Sequence, residues 1–148
     1  MPRRKPGIPE EEKFEGIALE PVKLGRLPES ARRHLNGAAV TTEALLGCRR
    51  GEMLGLRWED VHLDDSRPWL VLRRSLQPVN GHHLQALKVK AEKSVRRVAI
   101  TTRLVAALRA HQVTPWSGPE WCFASLRLPD RAMSPEYLHR KAWNPIKE

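Results

Sequence analysis

One segment, residues 47–61, constrains the possible fold more than any other part of the chain, and it reads GCRRGEMLGLRWEDV. Its leading glycine lets the backbone turn sharply out of the apolar run that precedes it. Leu54, Trp58 and Val61 then recur at helical intervals, which predicts a helix with one face toward a core that runs through Trp58 and closes at residues 61–65. The pattern therefore predicts two packed helices joined by a short turn that carries Arg49.

Composition and charge limit the class of protein. The chain has 148 residues, of which 41% are hydrophobic, and this suits one soluble domain with a real core. Lys and Arg number 26 against 17 Asp and Glu, giving a net charge of +9, so a polyanion is the expected partner. No run approaches the roughly 18 apolar residues that span a bilayer, which favours nucleic acid over membrane. The two cysteines fit neither a disulfide framework nor a metal knuckle, and Cys48 is expected to pack as a small apolar residue.

The segment 47–61 resembles the first conserved box of the tyrosine recombinases (phage integrases), whose pattern runs roughly G-[LC]-R-x-G-E-x-x-x-L-x-W-x-D-[VI]. In that family the arginine before x-Gly-Glu grips the scissile phosphate, so the resemblance implies that Arg49 is a catalytic residue. A planar guanidinium suits this role because it can clamp two phosphoryl oxygens at once. On composition alone, Arg49 and Arg50 would be interpreted as solvated charges at the start of an amphipathic helix.

A second stretch, residues 88–99, reads KVKAEKSVRRVA and resembles the β-hairpin element of the same family, P-K-T-K-x-S-x-R-x-[VI]-[PA]. The family lysine is thought to act as a general acid toward the leaving 5′ oxygen. The resemblance implies that this second catalytic residue is Lys90, with Lys88 as the alternative. A competing interpretation is a solvated hairpin whose lysines make only nonspecific phosphate contacts.

Basic residues around these two motifs are the expected DNA contacts. They are Arg50, Lys88, Lys93, Arg96 and Arg97. Arg96 and Arg97 are adjacent in a predicted strand and should lie on opposite faces of it, so at most one of them should point at a bound duplex.

The predicted fold class is α+β, mainly helical with a small two- or three-stranded antiparallel sheet, as in an incomplete integrase-like catalytic domain. Residues 1–36 form an irregular, basic and proline-rich segment, and residues 37–148 form the partial catalytic domain. Further expectations are strands at Pro68–Leu76 and Ser94–Ile100, an Asn80-Gly81 turn, a helix capped by Thr101 or Thr102, a short buried segment at Trp121–Ala124, and a helix at Pro135–Trp143 capped by Ser134.

Other boxes of the family do not occur in this sequence. There is no H-x-L-R-H box, and the one tyrosine, Tyr137, lies on the predicted helix at 134–143, where we expect it to pack or face solvent. The chain is therefore expected to be inactive alone, because the attacking oxygen has no source. The resemblance implies no metal and no nucleotide cofactor, no small-molecule substrate, and two partners: double-stranded DNA and an intact integrase protomer.

Three functions compete at this point. The first is a DNA-binding fragment of an integrase, associated with DNA integration and recombination in the cytoplasm at the nucleoid. The alternative is a stand-alone DNA-binding regulatory module without strand-cleavage activity, which should prefer one sequence strongly. An RNA-binding basic domain is the third, but aromatic residues make up only 5% of the chain, which leaves few side chains on which RNA bases could stack.

Overall fold

The computed structural model describes residues 26, 31, 34, 36–79, 83–88 and 95–143, with backbone alone for 77–79, 83–88, 142 and 143. Its helices are α1 (Gly37–Leu46), α2 (Arg50–Leu54), α3 (Thr102–Gln112) and α4 (Pro135–Leu138), which continues as a π-helical turn at His139–Trp143. The strands are β1 (Val61–His62), β2 (Trp69–Leu72), β3 (Arg74–Val79), β4 (His83–Lys88) and β5 (Arg96–Ala99), and a 3-10 turn covers Trp58–Asp60. Most of the predicted segment 1–36, and the Asn80-Gly81 turn, lie outside the described residues.

The sheet confirms the predicted α+β class. An antiparallel sheet runs in the order β1-β2-β5, with Leu70 opposite Val61 on one side and Val98 on the other. Strands β3 and β4 form a second, two-stranded sheet. The single strand predicted at 68–76 is therefore wrong, because the chain breaks at Arg73 and changes sheet.

Buried Asp60 explains that break. Its carboxylate accepts hydrogen bonds from Nε of Arg73 at 3.2 Å and from the Arg74 guanidinium at 2.7 Å. Two successive arginines that must reach one buried carboxylate cannot alternate faces as in a regular strand. The last acidic residue of the segment 47–61 thus anchors the start of the β3–β4 hairpin.

The helix predicted to run through Trp58 and close at residues 61–65 is also wrong, since α2 ends at Leu54 and Val61–His62 forms β1. The N–H of Trp58 donates to the carbonyl of Glu120 at 2.9 Å, so the chain is already paired with a distant loop. Strand β3 crosses α2 at backbone distance: a Cβ at Gly51 would lie 2.7 Å from the Leu76 carbonyl oxygen, and one at Gly55 would lie 2.9 Å from that of Arg74. The two glycines thus form the notch in which the hairpin is seated.

One core unites the helices with the inner face of the three-stranded sheet. Its largest fully buried side chains include Phe123, Met53, Leu54, Leu70, Leu72, Leu104, Leu108, Met133 and Leu138. Burial of each such side chain stabilises the fold by about 1.5–3 kcal/mol before the entropy of ordering is subtracted. The predicted buried segment 121–124 and the burial of Cys48 are confirmed.

Two helix caps follow the sequence prediction. The Thr101 hydroxyl accepts from the Leu104 N–H at 3.3 Å, and Ser134 Oγ accepts from the Tyr137 N–H at 3.2 Å. On α3, His111 is buried and its Nε2 lies 2.7 Å from the Cys122 carbonyl oxygen, and burial lowers the pKa of this imidazole. None of the helices in the described ranges is long and apolar enough to cross a bilayer.

Candidate nucleic-acid interface

The turn between α1 and α2 presents Arg49. Gly47 adopts a left-handed backbone, φ 60°, and its N–H closes α1 by donating to the carbonyl of Glu43 at 3.1 Å. Arg49 follows in an extended conformation and is the N-cap of α2, with an exposed side chain. Among the residues that the structure describes, no ion pair or hydrogen bond holds its guanidinium. The backbone of Arg49 is therefore fixed while its charged group faces solvent.

Buried Glu52 fixes that backbone. One carboxylate oxygen, Oε2, accepts from the Arg49 N–H at 3.0 Å and from the Arg96 guanidinium at 3.0 Å, and Oε1 accepts from the other terminal nitrogen of Arg96 at 2.9 Å. The hydrogen bonds from Arg96 hold the pKa of Glu52 below its usual range, against the opposing effect of burial. The same contact raises the pKa of Arg96. Helix α2 and strand β5 are thereby joined directly behind the Arg49 turn.

The two adjacent arginines of β5 have different environments. Arg96 is paired with Glu52 on the inner side, while the Arg97 guanidinium lies 3.5 Å from the centroid of Trp69 on the outer side. The prediction that they occupy opposite strand faces is confirmed. Trp69 also stacks on His62, with ring centroids 3.9 Å apart. The Arg97 guanidinium therefore lies on the face of β5 opposite to that of Arg96.

Arg50, the first residue of α2, lines an open cleft of about 580 Å³ together with Pro135, Glu136, His139 and Arg140. Its Nε is 3.4 Å from a carboxylate oxygen of Glu43 on α1. His139 and Arg140 match no box of the recombinase family, so no motif in the sequence marks them as contacts. Their approach to Arg50 depends on packing between α2 and α4, which spacing does not reveal.

The three predicted lysines are less fully placed. The backbone of Lys88 pairs with Arg74 at the base of the β3–β4 hairpin, close to the strand that crosses α2. Lys90 and Lys93 lie outside the described residues, so the assignment of the general acid stays a prediction. Tyr137 is half-buried and packs against the core, with its backbone in the first turn of α4.

Comparisons with known proteins bear on the fold. No protein-family model matches the chain, and no curated protein matches it in sequence. A solved structure of the Tn1549 transposon integrase in complex with transposon right end DNA is similar in fold, with a TM-score of 0.57 at 14% sequence identity. The match covers 69% of this chain and 33% of the integrase chain.

These values define the class of the fold. The described elements form an α+β arrangement that corresponds to part of an integrase-like domain. This chain spans about one third of the integrase chain that it resembles.

Proposed function

We propose that this chain is a DNA-binding unit of the tyrosine recombinase (integrase) type, in which Arg49 holds a backbone phosphate of a bound duplex. The observation that carries the proposal is an exposed guanidinium on a turn whose backbone is tied to buried Glu52. An arginine with a fixed backbone loses less conformational entropy on binding than one on a mobile loop. The similar integrase was solved with DNA, and the net charge of +9 gives a field that attracts a polyanion.

The proposal extends to the biology of the chain. Its partners are double-stranded DNA and an intact integrase protomer that supplies the boxes this sequence lacks. Its place is the cytoplasm, at the nucleoid. We infer that the chain itself binds without cutting, since its one tyrosine, Tyr137, is half-buried and packs against the core.

Arg49→Ala tests the phosphate contact. We expect duplex affinity to fall about tenfold, because a charge-assisted bidentate pair that is partly screened contributes roughly 1.4 kcal/mol. The duplex affinity of Arg49→Lys should lie between those of the unaltered chain and Arg49→Ala, because lysine keeps the charge but lacks the planar guanidinium. Fluorescence anisotropy with a labelled duplex at several salt concentrations measures all three proteins.

The matched control is Arg103→Ala, which removes the same charge from an exposed position on α3. A bulk electrostatic effect predicts equal losses for the two alanine variants. A loss at Arg49 no larger than the loss at Arg103 would remove Arg49 from the phosphate site. Absence of any salt-dependent duplex binding by the unaltered chain would overturn the proposed function as a whole.

A further inference from the structure

The open cleft beside α2 is separate from the contacts that fix Arg49. It is lined by Arg50 of α2, by Pro135 and Glu136 of α4, and by His139 and Arg140 of the π-helical turn. Residues from two parts of the sequence far apart thus converge on one concave surface. The exposed guanidinium of Arg140 and imidazole of His139 have no hydrogen-bond or ion-pair partner within the described part of the chain.

The charges of the cleft favour an anion. Two guanidiniums and an imidazole line it together with one carboxylate, that of Glu136. The Arg50 side chain is 37% exposed and is positioned by its ion pair with Glu43. Its Nε is the atom of that ion pair and is buried, so a ligand can reach only the exposed remainder of the side chain.

We propose that this cleft is a second phosphate-binding subsite, which holds the DNA backbone next to the phosphate that Arg49 holds. The inference rests on the proposed function and extends it to His139 and Arg140. The Cα atoms of Arg49 and Arg50, which are adjacent in the chain, lie about 3.8 Å apart. One turn of chain can therefore present two guanidiniums to neighbouring phosphates of a single strand.

The shape of the cleft favours a duplex over a small anion. It is open along the surface, and its basic groups come from two elements, α2 and the π-helical turn. A continuous polyanion can lie across such a surface and displace several counterions at once. Glu136 opposes this binding, and its removal should strengthen it.

Two pairs of charge-matched variants test the subsite by duplex binding. Arg140→Ala is compared with Arg103→Ala, and we expect about a threefold loss for the former. The slope of log affinity against log salt should also fall by about one for Arg140→Ala, as one phosphate contact disappears. Glu136→Gln is compared with Asp130→Asn, which lies on an exposed loop, and only the former should raise affinity, by about twofold.

The outcomes separate this inference from the proposed function. Equal effects within both pairs, with Arg49→Ala still weakened about tenfold, would overturn the subsite and leave the phosphate contact of Arg49 intact. A polyglutamate peptide that binds the unaltered chain but not Arg140→Ala, while duplex affinity stays constant, would assign the cleft to an acidic protein segment. Circular dichroism of each variant establishes that the fold is retained, as expected for exposed positions.

Discussion

Replacement of Glu52 by Gln tests whether one buried carboxylate holds the Arg49 turn in place. The side chain of Glu52 is 7% exposed and accepts three hydrogen bonds, one from the Arg49 backbone and two from Arg96. Gln keeps the shape, but its amide nitrogen would face a donor of Arg96, so a bond is lost and two donors are opposed. Each bond to a charged group contributes about 1.5–3 kcal/mol, and Arg96 is half-exposed, so we expect a loss of about 2 kcal/mol.

Urea unfolding followed by circular dichroism measures that loss. A double-mutant cycle with Arg96→Gln isolates the pair, and the coupling should account for most of the effect. Glu59→Gln is the control, because Glu59 is 64% exposed and its bridge to Arg74 should contribute less than about 0.5 kcal/mol. Equal stability of Glu52→Gln and the unaltered chain would refute the structural role of this carboxylate.

The effect should also depend on pH in one direction. The pKa of Glu52 is lowered in the folded state, so the stabilisation is present above the unfolded pKa of about 4.3 and is lost as pH falls through the folded pKa. The difference in unfolding free energy between the two proteins should therefore be constant near neutrality and shrink below about pH 4. A difference that did not change with pH would mean that shape, not charge, is responsible.

Two further predictions concern the notch and the chemistry. Gly51→Ala should destabilise the fold by about 1–3 kcal/mol in urea unfolding, because its Cβ would lie 2.7 Å from both the Leu76 carbonyl oxygen and Ser75 Oγ. Helix propensity alone predicts that alanine stabilises the helix, so a stabilised variant would contradict the close packing of β3 against Gly51. With a nicked suicide substrate, the chain should form no covalent adduct on a denaturing gel. An adduct that Tyr137→Phe abolishes would show that the chain cleaves DNA after all.

Sequence patterns predicted the elements whose determinants are local. The caps at Thr101 and Ser134 depend on a hydroxyl three residues from the amide that it accepts from. The left-handed turn at Gly47 and the alternation of Arg96 and Arg97 also depend only on neighbouring residues. In each case the information lies within a few residues, where propensity and periodicity act.

Long-range contacts set the features that pattern analysis missed. Leu54, Trp58 and Val61 have helical spacing, yet α2 stops because Trp58 bonds to a loop more than 60 residues away. The break after β2 depends on Asp60 recruiting two arginines from the next turn of chain. Helical periodicity records which residues face the core but not which backbone partner ends the helix.

The candidate site shows the same division. A motif located Arg49, whereas Glu52, which binds its backbone, is itself bound by Arg96, 44 residues further along the chain. The cleft likewise requires the π-helical turn at His139–Trp143 to pack near α2. The motif residues of the segment 47–61 are thus of two kinds. Arg49 faces solvent, while Gly51, Glu52 and Asp60 contact the β3–β4 hairpin and β5. An anion clamp needs both, because a guanidinium held at one place binds phosphate with less entropic loss than a mobile one. Glu52→Gln should therefore weaken duplex binding less than Arg49→Ala does, and only through the position of the turn.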